Sequence, residues 1–371
     1  MTLIQAEDME AIALGAAVYG TGGGGDPYLG KLLAQNTIRA HGPVRLITLD
    51  ALENQDLIVP VALVGAPTVM LEKLPEIDPL VLALRRLETR LGRRAKALVS
   101  IEVGGLNSVI PFSVASLTGL PLLDGDTLGR AFPELQMSLC TLAGIGACPM
   151  ALADEKGNAL TVDAVDNRSA ERFVRSITMD MGGASYAALY AMTATQARQA
   201  LLPGTIRMTQ RCGQAVFDAR ARLGNPVSAL LQATGGQCLF EGKVMDVQRR
   251  TDGRFNRGVA QLQGLDQHQG GTLEVLFQNE FLLARTPQQV LCSTPDLIVA
   301  VDLETAEPIT GEQMRYGLRV AMLGIACAPA WRTPQALDLA GPRHFGYDID
   351  YRPLGSPSSN QAAGPTARGA P

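Results

Sequence analysis

Histidine is scarce in this chain of 371 residues: three occur, His41, His268 and His344. No HxxxH or HExxH spacing exists, which excludes a histidine-built zinc centre. The six cysteines, at 140, 148, 212, 238, 292 and 327, form no CxxC pair. They read as buried reduced thiols, not as a disulfide frame or a metal knuckle. No apolar run reaches the roughly 18 residues that mark a membrane-spanning helix. The start, Met1-Thr2-Leu3-Ile4-Gln5-Ala6-Glu7-Asp8, is not a signal peptide. A cytoplasmic protein without a membrane partner is the expectation. Charged residues make up 18% and the net charge is −4. That argues against a nucleic-acid binder, which would show a basic face. No GxSxG elbow accompanies a Ser/His/Asp order, and no internal repeat is present.

What the chain does have is glycine in a telling place. Gly20-Thr21-Gly22-Gly23-Gly24-Gly25 is followed by Asp26-Pro27, between two segments that read as helices. Glycine serves where φ is positive or where something must approach the backbone. Asp26 is a good N-cap, and Pro27 suits the first helical position. The loop therefore reads as bare backbone N–H groups at a helix start, a cradle for anions or polarised carbonyls. It lacks the preceding strand of a Rossmann loop and the GK[ST] ending of a P-loop. Gly104-Gly105, followed by Asn107, forms a second such element after a strand.

Residues 44–165 alternate strand and helix signals, the mark of an α/β domain with a mostly parallel sheet between two helical layers. Leu57–Gly65, Ala97–Ile101 and Leu120–Leu123 read as strands, and Leu80–Leu91 and Ser108–Thr118 as helices. Ala184–Gln199 reads as helix. From about 235, short strands separated by turn signals suggest a β-barrel-like domain. The expected division is 1–165 as the N-terminal α/β domain and 166–234 as a helical segment packed on it. A β-rich domain at 235–353 and a disordered tail at 354–371 complete it.

The densest chemistry lies between Glu102 and Glu134. If the strands before Glu102 and Asp124 are parallel neighbours, both carboxylates sit at strand carboxyl ends, where open α/β sheets bind ligands. Asp126 and Arg130 follow closely. Such carboxylates suit general acid–base work or a divalent cation. The competing reading is a turn and cap at Asp124-Gly125-Asp126, with Arg130 paired to Glu134. Far downstream, Gly341-Pro342-Arg343-His344-Phe345-Gly346-Tyr347-Asp348 gathers a cation, a titratable ring and a phenol, and marks His344 and Tyr347 as candidates.

Taken together, these segments resemble one bacterial family. The resemblance rests on Gly20–Pro27, on Glu102-Val103-Gly104-Gly105-Leu106-Asn107, and on Asp124-Gly125-Asp126 with Gly129-Arg130-Ala131-Phe132-Pro133-Glu134. It also rests on Gly341-Pro342-Arg343 with Gly346-Tyr347-Asp348. The family is that of S-methyl thiohydantoin desulfurases, often encoded beside hydantoinase/oxoprolinase enzymes, and the likeness spans about 7–353. It implies an α/β N-terminal part, a β-barrel-like C-terminal part, and hydrolysis of an S-methyl thiohydantoin to hydantoin and methanethiol. The site is placed on physical grounds. Asp124 or Asp126 would activate water, directly or through a divalent metal, and Glu102 or His344 would supply a proton. Thr21, Gly22, Gly23, Gly24, Gly25, Asp26, Gly104, Gly105, Asn107, Arg130 and Tyr347 would hold a small cyclic amide or thioamide. The other reading is a non-catalytic partner of a hydantoinase/oxoprolinase-type enzyme. A homo-oligomer is the default for such an enzyme.

Overall fold

The run Leu57-Ile58-Val59-Pro60-Val61-Ala62-Leu63-Val64 has no polar face, and such a strand needs cover on both sides. The computed structural model supplies that cover; it describes residues 2–65, 69, 76–252 and 255–356. In chain order the first sheet contains β1 (Thr2–Ile4), β2 (Val44–Ile47), β3 (Leu57–Gly65), β4 (Ala97–Ser100) and β5 (Leu122–Asp126). It continues with β6 (Met150–Ala153), β7 (Ala159–Val162), β8 (Ala184–Ala188), β9 (Met192–Thr193) and β10 (Leu202–Pro203). The order is β1-β2-β5-β4-β3-β8-β6-β7, with β10 beside β5 and β9 beside β3. The centre, β2-β5-β4-β3, is parallel as expected. Antiparallel strands extend it on both sides.

Side chains alternate along β3. Leu57, Val59, Val61 and Leu63 enter one core with Leu84, Leu87 and Phe112 of the helices Asp78–Leu91 and Leu106–Thr118. Ile58 and Ala62 enter another with Val174 and Ala197 of the helices Asn167–Asp180 and Ala194–Ala200. Full burial of one such leucine contributes roughly 1.5–3 kcal/mol.

The helix expected at Ala184–Gln199 is corrected. Its first half is β8, wedged antiparallel between β3 and β6, and only Ala194–Ala200 is helical. Alanine favours helix locally, but the small buried Ala187 and Ala188 fit between packed strands, and pairing overrides propensity. The segment 166–234 therefore mixes strands with helices. Its long helix Thr205–Ala221 crosses the helix Asp8–Tyr19 at two glycines. A Cβ on Gly15 would lie 2.1 Å from the Thr209 carbonyl oxygen, and one on Gly213 would lie 2.0 Å from that of Ala11.

The second sheet comprises β11 (Gln237–Asp252), β12 (Phe255–Gly264), β13 (Thr272–Gln278), β14 (Glu280–Arg285), β15 (Val290–Ser293), β16 (Leu297–Asp302), β17 (Pro308–Ile309) and β18 (Arg319–Ile325). It is antiparallel, in the order β15-β14-β13-β12-β11-β18-β16-β17. The barrel-like expectation is corrected here: among the described residues the sheet stays open. The four-residue β15 and the two-residue β17 end it without pairing to each other, although the sheet curls enough to set β14 against β16. Leu297, Val299, Leu323 and Ile325 share a core with Leu14, Val18 and Val216, which seats this sheet on the two crossed helices. Within the expected tail, Leu354 is anchored, its N–H donating to Asp296 Oδ2 at 2.7 Å. Residues 357–371 lie outside the described residues. Among the described residues no helix is long and apolar enough to cross a membrane.

Candidate active site

At the end of β4 the chain must turn into the helix Leu106–Thr118, and Gly105 makes the turn at φ +61°. Asp126, at the end of the neighbouring β5, fixes this turn from beside it. Its Oδ2 accepts the N–H groups of Val103 (2.9 Å), Leu128 (3.0 Å) and Gly129 (2.7 Å). The turn presents Glu102, which is 7% exposed. Asn107, one residue into the helix, donates from Nδ2 to Glu102 Oε1 at 2.9 Å. The same amide grips the end of β3, accepting Leu63 N–H at 2.7 Å and donating to the Leu63 carbonyl at 3.2 Å. Burial pushes the Glu102 carboxyl up to about 7, against the hydrogen bonds from Asn107 and the Phe132 N–H; the charge of Asp126 adds to the rise.

A second carboxyl arrives from the other sheet. β13 and β14 meet in a tight hairpin whose tip, Gln278-Asn279-Glu280, is polar yet buried. Asn279 takes φ +61° to close it. The tip docks on the N-terminal glycine loop: Phe281 N–H donates to Thr21 O, and Gly311 N–H to Gly22 O, each at 2.7 Å. Gly22 lies under the Phe281 ring, where a Cβ would come within 2.3 Å of it. Gly23 lies under the Glu280 carboxyl. Glu280 Oε2 is buried without a hydrogen-bond partner. Burial, reinforced by the charge of Glu102, raises the Glu280 carboxyl to about 8.

Both carboxyls line a cleft of about 110 Å³ at the carboxyl ends of β3 and β4. Asn107, Glu134, Glu171 and Arg175 complete its polar wall, and Gly24 and Gly25 line it with backbone. Arg175 Nε donates to Glu171 Oε1 at 2.6 Å, and Glu171 Oε2 accepts the Leu135 N–H at 3.0 Å. Leu106, Phe132 and Leu135 give the cleft an apolar side.

Several expected site residues hold the fold around the cleft. Asp124 Oδ1 accepts the Ile206 and Arg207 N–H groups at 3.1 and 3.2 Å, capping the helix Thr205–Ala221. Asp124 and Asp126 both belong to β5, not to a turn after it, and neither lines the cleft. Arg130 is fully buried. Its guanidinium donates to the carbonyls of Ala131, Pro295 and Asp296 and to the Thr21 hydroxyl, and it stacks 4.3 Å from the Phe132 ring. It clamps the glycine loop to the second sheet and is not paired to Glu134. Asp26 is the expected N-cap, accepting the Tyr28 N–H at 2.9 Å.

Gly104 and Gly105 let two loops touch backbone to backbone: a Cβ on Gly105 would sit 2.2 Å from the Gly24 oxygen, and Leu106 N–H donates to that oxygen at 2.8 Å. His344 Nε2 stands 3.6 Å from Glu134 Oε1, behind the wall and outside the lining. Burial alone would raise the Glu134 carboxyl, but hydrogen bonds from His344 and Gln136 hold it below its usual range. Tyr347 is half-buried, with Arg257 and Arg285 of the second sheet nearby, and does not line the cleft. Asp124 Oδ1 and Asp126 Oδ2 accept backbone N–H groups, and among the described residues no three His, Cys, Asp or Glu side chains could hold a metal ion.

Sequence reasoning missed Glu280, Asn279, Glu171 and Arg175. One signal was available for the first two: a Gln-Asn-Glu triplet interrupting the apolar run Val275–Ala284.

The model of the S-Me-THD-like N-terminal domain matches residues 7–164, and that of the S-Me-THD-like C-terminal domain matches residues 165–354. The chain belongs to the S-Me-THD-like family. Its fold is similar to the crystal structure of a protein from Chromobacterium violaceum, at 24% identity and a TM-score of 0.79, covering 95% of this chain and all of that one. No curated protein matches. Within this S-Me-THD-like chain both matched regions reach the cleft, the first through Glu102 and Asn107 and the second through Glu280, Glu171 and Arg175.

Proposed function

We propose that the cleft hydrolyses an S-methyl thiohydantoin to hydantoin and methanethiol. The observation that carries this reading is Glu102: a buried carboxyl with a pKa near neutrality, aimed by Asn107 into a cleft fit for a small ring. General acid–base catalysis is most effective when the pKa lies near the working pH. The family supports the substrate class.

Glu102 as carboxylate takes a proton from water as the water oxygen bonds to the ring carbon that bears sulfur. When the tetrahedral adduct collapses, the C–S bond breaks and the same carboxyl returns its proton to the departing sulfur. Glu102 is thereby restored. In this reading the backbone N–H groups of Gly24 and Gly25, two residues of the cleft wall, would bind the ring carbonyl, where negative charge gathers.

A non-catalytic partner subunit would call for exposed apolar surface around Trp331 and Phe345; Phe345 is half-buried against the core, and Trp331 gives the reading no support. Its side chain is fully buried, with Nε1 donating to the Leu128 carbonyl at 2.6 Å, and offers no apolar docking surface. Incubation with a panel of hydantoins, thiohydantoins and S-methyl thiohydantoins tests the proposal. Methanethiol should appear with the S-methylated members alone, and its absence from all of them would reject the reaction.

A further inference from the structure

We propose that Glu280 is a second catalytic residue, a neutral carboxylic acid that protonates the ring nitrogen of the substrate. This rests on the hydrolytic reading above and adds the group that reading lacks. As water attacks, the C=N electrons move onto nitrogen and need a proton there. Glu280 gives it. On collapse, the hydroxyl of the adduct returns a proton to Glu280 as the C=O bond forms, while Glu102 protonates methanethiolate. Water and the S-methyl thiohydantoin are consumed, hydantoin and methanethiol leave, and both carboxyls end as they began.

Three observations carry the assignment. The Glu280 side chain is buried, lines the cleft, and leaves Oε2 with no protein partner, an arrangement that a ligand would complete. Its Oε1 lies over Gly23, where a Cβ would come within 2.2 Å, so the glycine loop is shaped around this carboxyl. The two carboxyls also differ in donors, Glu280 taking only its own backbone N–H. Glu102 accepts N–H groups from Asn107 and Phe132, which favours its charged form. Glu280 has the carboxylates of Glu102 and Glu312 near it, which favour its neutral form. Arg130 opposes them by its charge, while its guanidinium hydrogen-bonds to three carbonyls and the Thr21 hydroxyl and not to Glu280. Glu102, held by N–H donors, is therefore assigned as the base and Glu280, with its unpartnered Oε2, as the acid.

The test compares the full-length wild type with Glu280→Gln. Glutamine keeps the shape and a neutral head but has no acidic proton to transfer. The expected result is a fall in kcat on the order of 10²- to 10⁴-fold with little change in KM and a melting temperature at neutral pH no lower than that of wild type. Wild-type turnover in Glu280→Gln would overturn the proposal. Should that variant fail to fold, wild-type kcat/KM decides: it should fall on the alkaline side as Glu280 loses its proton, and a flat alkaline limb would also overturn it. Infrared difference spectra, wild type minus variant, read the proton without any substrate. A protonated-carboxyl band at neutral pH that is absent from Glu280→Gln supports the assignment even if the panel yields no methanethiol, and then only the hydrolytic reading fails. No such band in an active wild type rejects Glu280 as the acid and leaves the reaction standing.

Discussion

The Glu280 carboxyl fills the space that a side chain on Gly23 would need: a Cβ built there falls 2.2 Å from Oε1 and 2.5 Å from the carboxyl carbon. A glycine in the N-terminal part and a carboxyl from the C-terminal sheet thus define one position together. The tight approach explains why the loop is glycine at this point, although Gly23 does not need a positive φ.

Gly23→Ala should therefore act on activity more than on stability. Its backbone is open to alanine, so the strain falls on the Glu280 side chain, which must swing away. Turnover should fall on the order of 10²-fold or more, as for loss of a general acid, with a small change in melting temperature. Activity equal to wild type would mean that the position of Glu280 does not matter.

Asn107→Ala removes the N–H that donates to Glu102. A hydrogen bond to a carboxylate favours the charged form, so its loss raises the Glu102 pKa further above its present value of about 7. The active carboxylate is then less populated at neutral pH. The acid limb of the kcat/KM profile should move to higher pH, and an unmoved limb would separate Asn107 from the base.

Asp124→Ala should cost stability and spare chemistry. It deletes a carboxylate that satisfies two N–H groups at the start of Thr205–Ala221, a capping contribution of about 1 kcal/mol. Melting curves and methanethiol release measured on one preparation check both halves. A large loss of kcat in a folded protein would return Asp124 to the site.

The parallel centre of the fold was legible because a strand buried on both faces leaves an unbroken apolar run, as at Leu57–Val64 and Ala97–Val99. The Asp26-Pro27 cap was legible because capping is local. Asp124 was not: a carboxyl at a strand end looks the same whether it caps or catalyses. The decision came from N–H groups 82 and 83 residues away. Arg130 misled for a similar reason, since its partners are carbonyls of a distant loop. Glu102 and Asn107 line the cleft together because the turn that joins them is short. Glu280 escaped because a polar hairpin tip is ordinarily solvated, and only the docking of the two sheets buries this one.

Stability should fall as pH rises through the range in which the buried carboxyls lose their protons. Burial raises Asp126 to about 6, Glu102 to about 7 and Glu280 to about 8, each above its unfolded value. Between the unfolded and folded values the native state holds more protons than the unfolded state, so the free energy of unfolding declines as pH increases. Below the unfolded values and above the folded ones these groups add no slope. Glu280→Gln should lose its share of the decline and gain on wild type between about pH 4.5 and 8. Parallel melting curves across that window check the sign, and a constant gap between the two proteins would deny Glu280 its raised pKa.

The most direct measurement is hydrolysis of an S-methyl thiohydantoin in water labelled with heavy oxygen, by wild type and by Glu102→Gln side by side. Wild type should place one labelled oxygen in the new ring carbonyl for each methanethiol released, and Glu102→Gln should do neither at a comparable rate. Methanethiol without the label, or equal labelling by Glu102→Gln, would contradict water activation by Glu102 in this cleft.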